Sequence, residues 1–233
     1  MAGPPAIAMT LTAELLAWRK AERKRLIERR LAAPPADHAR WSAALEARLL
    51  AALPFGAGWV VGLCWPYQGE FDARPLAAQL RSRGARLALP VVVAKGQPLE
   101  FREWWPGVAM AVGAYELPVP ADTGRLVPDA LLVPPVGIGA SGDRLGYGGG
   151  FFDRTLAALE PTPITVAHAF ELSRIPTTHP QWHDVLMDFV ATEARLEASA
   201  GGRLEPIEPA LCRSRILELA RARGLPRPGV PTG

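Results

Sequence analysis

Arg144-Leu-Gly-Tyr-Gly-Gly-Gly-Phe-Phe-Asp-Arg154 sets four glycines within five residues, between an arginine and an aspartate. Glycine in a folded segment costs conformational entropy, so the run implies unusual dihedrals or a group that approaches the backbone closely. Gly146, Gly148, Gly149 and Gly150 precede a helix expected from Phe151. Their amides and the helix N-terminus can face an anion together. Arg144 adds a fixed positive charge suited to phosphate oxygens. Asp153, in the first helical turn, stands at the same mouth, where a carboxylate can hold Mg²⁺ against phosphates. The plain alternative is a tight turn with an aspartate that complements the helix dipole.

Gly137-Ile-Gly139-Ala-Ser-Gly142 also matches G-x-G-x-x-G and follows an apolar run. A dinucleotide site would need a helix opening at the second glycine, and Asp-Arg-Leu-Gly-Tyr-Gly-Gly-Gly cannot form one. A Walker P-loop is excluded because no Gly-Lys-Ser/Thr follows. His179 and His183 are four apart, but Pro180 argues against a helical metal pair, so both are read as surface residues. Cys64 and Cys212 are far apart and in no metal-type spacing; unpaired thiols suit a reducing cytosol, and neither is expected to be functional.

These residues need elements to position them. The pattern predicts a basic helix over about 12–31 and a second one from an Asp37 N-cap through Leu53. A short apolar strand follows at Gly58–Trp65, then a helix over Arg74–Arg83 closed by Gly84. Strands are expected at Leu87–Val93, Leu99–Trp104, Ala130–Val136, Ile164–Phe170 and Val185–Ala191, with a helix over Phe151–Leu159. Apolar strands alternating with helices indicate an α/β protein, a three-layer α/β/α sandwich with a mainly parallel, Rossmann-like sheet. Ligands of such folds sit beyond the carboxyl ends of strands, where the glycine loop falls. Residues 1–197 are expected to form one domain. Residues 198–233 read as a flexible extension, with Ala-Ser-Ala-Gly-Gly as linker, one short helix over 210–223 and a frayed Pro226–Pro231 end, so a chain ending near residue 198 is expected to stay active.

The 233 residues, 49% hydrophobic and 21% charged, suit a globular protein with a substantial core. No apolar run approaches a membrane span and no secretory signal is evident, so a cytoplasmic location is expected. Residues 1–31 carry a local +4 and residues 201–233 a local +3, which leaves the body at −4. A basic N-terminal segment against an acidic body suits a nucleic acid or a polyanionic small molecule. No nucleic-acid motif or aromatic-interleaved basic patch supports the former.

With these residues in view, the chain resembles the 5-formyltetrahydrofolate cyclo-ligase family, also called methenyltetrahydrofolate synthetase. Matches run in order over about residues 15–193. Arg144–Asp153 is similar to the family signature R-L-G-x-G-x-G-[YF]-[YF]-D. Trp65-Pro-Tyr-Gln-Gly-Glu-Phe-Asp-Ala-Arg-Pro-Leu76 resembles its folate-facing segment, and His183-Asp-Val-Leu-Met-Asp188 with Thr192-Glu193 its closing segment. Arg19-x-x-x-Arg23 falls where the family carries basic residues that reach the nucleotide.

The resemblance implies a C–N bond-forming ligase. It would turn 5-formyltetrahydrofolate and MgATP into 5,10-methenyltetrahydrofolate, ADP and phosphate by phosphoryl activation of the formyl oxygen. It also implies roles. Arg19, Lys20 and Arg23, with Arg144, Leu145, Gly146, Tyr147, Gly148, Gly149, Gly150, Phe151 and Phe152, would bind ATP, with Arg144, Tyr147 and Gly149 at the reacting groups. Trp65 and Glu70, with Tyr147, Gly148, Gly149, Gly150 and Phe151, would bind the folate; Asp153 and Asp184 would hold Mg²⁺. Many relatives carry two tyrosines where this chain has Phe151-Phe152, which removes two hydroxyl groups. A monomer acting on small molecules is expected, with no nucleic acid or membrane partner. A non-catalytic folate- or nucleotide-binding relative and a sugar-phosphate or CoA-handling enzyme of similar architecture are the alternatives.

Overall fold

The computed structural model describes residues 12–225; the Pro226–Pro231 stretch lies outside them. In chain order the helices are α1 Ala13–Leu31, α2 Pro35–Ala52, α3 Arg74–Ser82, α4 Phe151–Ala158 and α5 Pro209–Ala222. The strands are β1 Val60–Gly62, β2 Arg86–Val91, β3 Glu100–Trp104, β4 Met110–Val112, β5 Pro118–Pro120, β6 Arg125–Leu126, β7 Ala130–Val133, β8 Gly137–Ile138, β9 Arg144–Leu145, β10 Ile164–His168, β11 Phe189–Ala191, β12 Leu196–Ala200 and β13 Arg203–Pro206.

Nine strands form one sheet in the order β13-β12-β11-β10-β7-β1-β2-β3-β6. The central run from β11 to β2 pairs in parallel, as the continuous apolar strands imply. Both margins are antiparallel, with β12 and β13 on one side and β3 and β6 on the other. Alternate residues of each central strand serve opposite faces. Ala130, Leu132, Ile164 and Val166 join the core under α2, α3 and α5. Leu131, Val133 and Ala167 join Leu156 of α4 on the other face. The three-layer α/β/α class is therefore the observed one.

The order matters for the site. From β1 the chain moves outward to β2, then returns to place β7 on the other flank of β1. The crevice between the carboxyl ends of β1 and β7 is a topological switch point, where α/β sheets bind ligands. β1 delivers the Trp65–Glu70 loop into it and β7 delivers the glycine loop.

Of three boundaries, one falls where the sequence places it and two do not. Thr12 caps α1, its hydroxyl accepting from the Leu15 amide at 3.2 Å. Asp37, however, does not cap α2: Pro35 sits at the first helical position, where its missing N–H costs nothing, and Asp37 pairs with Arg40 at 2.8 Å. The boundary expected at residue 197 falls inside β12, which lengthens the sheet, and α5 buries Cys212, Ile216 and Ala220 against the core. No described helix is long and apolar enough to cross a membrane.

Candidate active site

Helix α1 packs on the loops beyond the strand ends rather than on the sheet: Leu26 sits with Val136, Leu145 and Ile175. That seat aims Arg19, Arg23 and Arg30 into the crevice, because offsets of four and eleven residues return to one helix face. Arg19 Nη2 donates to Asp184 Oδ2 at 2.8 Å and to the His179 carbonyl at 2.9 Å. Arg23 Nε donates to the Gly146 carbonyl at 2.6 Å. Its other two nitrogens face Gly148, where an added Cβ would stand 3.2 Å from the guanidinium carbon. Gly148 also has φ of +96° and Gly150, the N-cap of α4, +62°. Both reasons for glycine thus hold in one loop: left-handed backbone and a close-lying cation.

Arg144, almost buried, is pinned between the Val185 carbonyl and Asp153 Oδ1, the latter at 2.7 Å. Asp153 Oδ1 also accepts from the Val185 amide at 3.1 Å. Burial depresses Arg144, while Asp153 and then Asp184 favour its charged form. Arg23 is depressed by burial and by Arg19, and no carboxylate pairs with it among the described residues. An incoming phosphate would supply that missing negative charge.

Tyr147 turns its hydroxyl from the glycine amides toward the β1 loop, donating to Glu70 Oε1 at 2.6 Å. The Tyr67 amide donates to Glu70 Oε2 at 3.0 Å. Burial raises the Glu70 carboxyl to about 7 against these bonds and nearby Arg30. A carboxylate at the floor of a crevice, opposite a phosphate cradle, can accept from adjacent N–H donors of a heterocycle.

Arg19, Arg23, Arg144, Tyr147, Gly148, Gly149, Gly150, Phe151, Asp153, Asp184 and Glu70 therefore line one crevice. Leu145 contributes backbone only, its side chain being buried under α1. Phe151 and Phe152 pack partly against the α4-side core and stay partly exposed. Lys20 is exposed. Trp65 lines a separate cavity of about 460 Å³ with Trp104 and Met110, and Arg74 lies 4.4 Å over its ring. Gly137–Gly142 is no helix-opening turn: β8 and β9 pair as a hairpin, and Asp143 at its tip accepts from the Thr178 hydroxyl at 2.6 Å. Sequence reasoning missed Asp143, which carries no spacing signal, and Arg30, whose signal was its place on the Arg19–Arg23 face.

The 5-formyltetrahydrofolate cyclo-ligase family model matches residues 16–193. A 5-formyltetrahydrofolate cyclo-ligase of Escherichia coli strain K12 is 28% identical over 180 residues, covering 72% of this chain and 97% of that protein. The Mycolicibacterium smegmatis protein of the same name is 37% identical over 160 residues, 59% of this chain and 80% of its own length. In fold, the chain is similar to the Aquifex aeolicus 5,10-methenyltetrahydrofolate synthetase, with a TM-score of 0.67 and 24% identity over 82% of this chain and 96% of that one. The family match takes in the Trp65–Glu70 loop, the glycine loop, α1 from residue 16 onward and the Asp184 segment, and stops before β12. The chain is an enzyme of the 5-formyltetrahydrofolate cyclo-ligase family.

Proposed function

We propose that the protein closes 5-formyltetrahydrofolate to 5,10-methenyltetrahydrofolate, consuming ATP and releasing ADP and phosphate. The observation that carries this reading is the Arg23 guanidinium, half-buried beside Gly148 without a carboxylate partner among the described residues. It meets the N-terminus of α4 and Arg144 in a cradle for a polyphosphate.

The γ-phosphoryl group moves to the formyl oxygen, N10 attacks the activated carbon, and phosphate leaves. No protein nucleophile is needed; the chain's work is alignment and charge neutralisation. Arg19, Arg23 and Arg144 hold the phosphates, and Glu70 orients the pterin through its ring and amino N–H donors. Phe151 walls the space between the two substrates.

The residues fit Mg²⁺ as a nucleotide-borne ion. Among the described residues no group of three His, Cys, Asp or Glu is arranged for a metal. Asp153 and Asp184 each engage arginine through one oxygen, Oδ1 and Oδ2 respectively, so that Asp153 Oδ2 and Asp184 Oδ1, the latter 3.7 Å from His183 Nε2, would face a cation. Two carboxylates completed by phosphate and water are the usual Mg²⁺ arrangement at such sites, and the ion would neutralise the charge that develops on transfer.

Arg23→Ala tests the cradle. A charge-assisted hydrogen bond contributes about 1.5–3 kcal/mol, so the KM for ATP is expected to rise at least about tenfold at saturating folate. Arg23→Lys should recover part of this, since an ammonium cannot reproduce the fork. A wild-type ATP response would reduce α1 to a packing element.

A further inference from the structure

We propose that Arg30 is a positioning residue that binds Tyr147 and Glu70 into one unit and so keeps Glu70 in the charged form that accepts a heterocycle's N–H donors. The inference rests on the functional reading above. Arg30 is 3% exposed, at the end of α1 nearest the β1 loop. A buried guanidinium is expensive unless its donors are used. Here Nε donates to the Gln68 carbonyl at 2.9 Å, and Nη2 donates to the Tyr147 hydroxyl oxygen at 2.9 Å. The same Nη2 stands 3.8 Å from Glu70 Oε1. Arg30, Tyr147 and Glu70 therefore form a directed chain in which each donor polarises the next.

The chain ties three elements together. Gln68 and Glu70 belong to the loop after β1, Tyr147 to the glycine loop, and Arg30 to α1. One guanidinium thereby fixes the separation of the folate-facing carboxylate and the phosphate cradle. It also supplies the cation that a buried carboxylate lacks. Among the described residues, the other titratable groups facing Glu70 offer no charge of that sign from nearby. Cys64 is held protonated by burial and by Glu70 itself. Tyr147 is likewise held protonated, chiefly by burial. His38 bonds the Gly69 carbonyl at 3.1 Å rather than the carboxylate.

Equilibrium binding of 5-formyltetrahydrofolate, followed by calorimetry without nucleotide between pH 6 and 8.5, tests this. A carboxylate titrating at about 7 should bind about tenfold more tightly at pH 8 than at pH 6. Arg30→Met should move that midpoint up by about one pH unit, weakening binding about fivefold at pH 7 and progressively less toward pH 8.5. Tyr147→Phe should shift it the same way by less, and Arg30→Lys should restore part of the wild-type profile. Glu70→Gln should abolish the pH dependence, and adding Arg30→Met to it should change the profile no further. A uniform loss at every pH, or no shift in either Arg30→Met or Tyr147→Phe, would overturn the proposal and leave Arg30 a packing residue. Should Arg30→Met not fold, Tyr147→Phe decides alone. Wild-type protein that binds no folate at any pH would instead sink the functional reading, and this proposal with it.

Discussion

A chain ending at residue 198 is expected to lose its cooperative fold. The cut removes the last two of the five residues of β12, all of β13 and the whole of α5. Ile216, Cys212, Ala220 and Leu225 leave the core they share with α2 and the sheet. Ile216 and Leu225 alone contribute about 1.5–3 kcal/mol each, against a total stability of roughly 5–15 kcal/mol. Arg223, which pairs with Asp188 at 2.6 Å, is lost as well, and Asp188 also accepts from the Thr165 amide and hydroxyl of β10. Thermal melting should show a Tm lowered by well over about 10 °C, or no transition at all. A truncated protein melting within a few degrees of the full chain would mean that these elements merely rest on the surface. The packing of α5 on the core thus argues against a dispensable tail.

Arg144→Ala should lower kcat by about 10²–10³, the size of effect seen when one fixed donor to a developing charge is removed. The KM for folate should change far less, because Glu70 stands on the other wall and Tyr147 turns its hydroxyl toward it. Stability should fall too: deleting one partner of a buried ion pair costs about 3–5 kcal/mol, and the low end applies because Asp153 keeps some solvent contact. Asp153→Asn separates the two effects. Its amide oxygen can still accept from Arg144 and from the Val185 amide, so the fold should hold while turnover at limiting Mg²⁺ collapses. Single-turnover kinetics beside thermal melting distinguish them. Full kcat in Arg144→Ala would make the Arg144–Asp153 pair a strut of the loop and nothing more.

Much of this site could be read from the chain. The glycine loop declared itself because glycine is needed twice over, at Gly148 and Gly150, and α1 because Arg19 and Arg23 share a helix face. The parallel centre of the sheet followed from strands apolar on both faces. The C-terminal region misleads because its small residues look like slack. Ala200 pairs with Arg203, so Gly201-Gly202 is a two-residue hairpin turn with both φ positive, +56° and +77°. That is the form a tight antiparallel connection takes, and the dipeptide was its signal. The Trp65 cavity was unreadable for a different reason. Its partner Trp104 arrives from β3, and that antiparallel return is a tertiary choice that local sequence does not encode.

The most direct test of the account is turnover itself. The purified 233-residue protein mixed with 5-formyltetrahydrofolate and MgATP should develop the near-ultraviolet absorbance of the methenyl product, with one ADP released per ring closed. The signal should require the nucleotide and weaken sharply in Arg144→Ala. Folded protein that forms no chromophore across pH values and divalent metals, or forms it without consuming ATP, would contradict the proposed reaction.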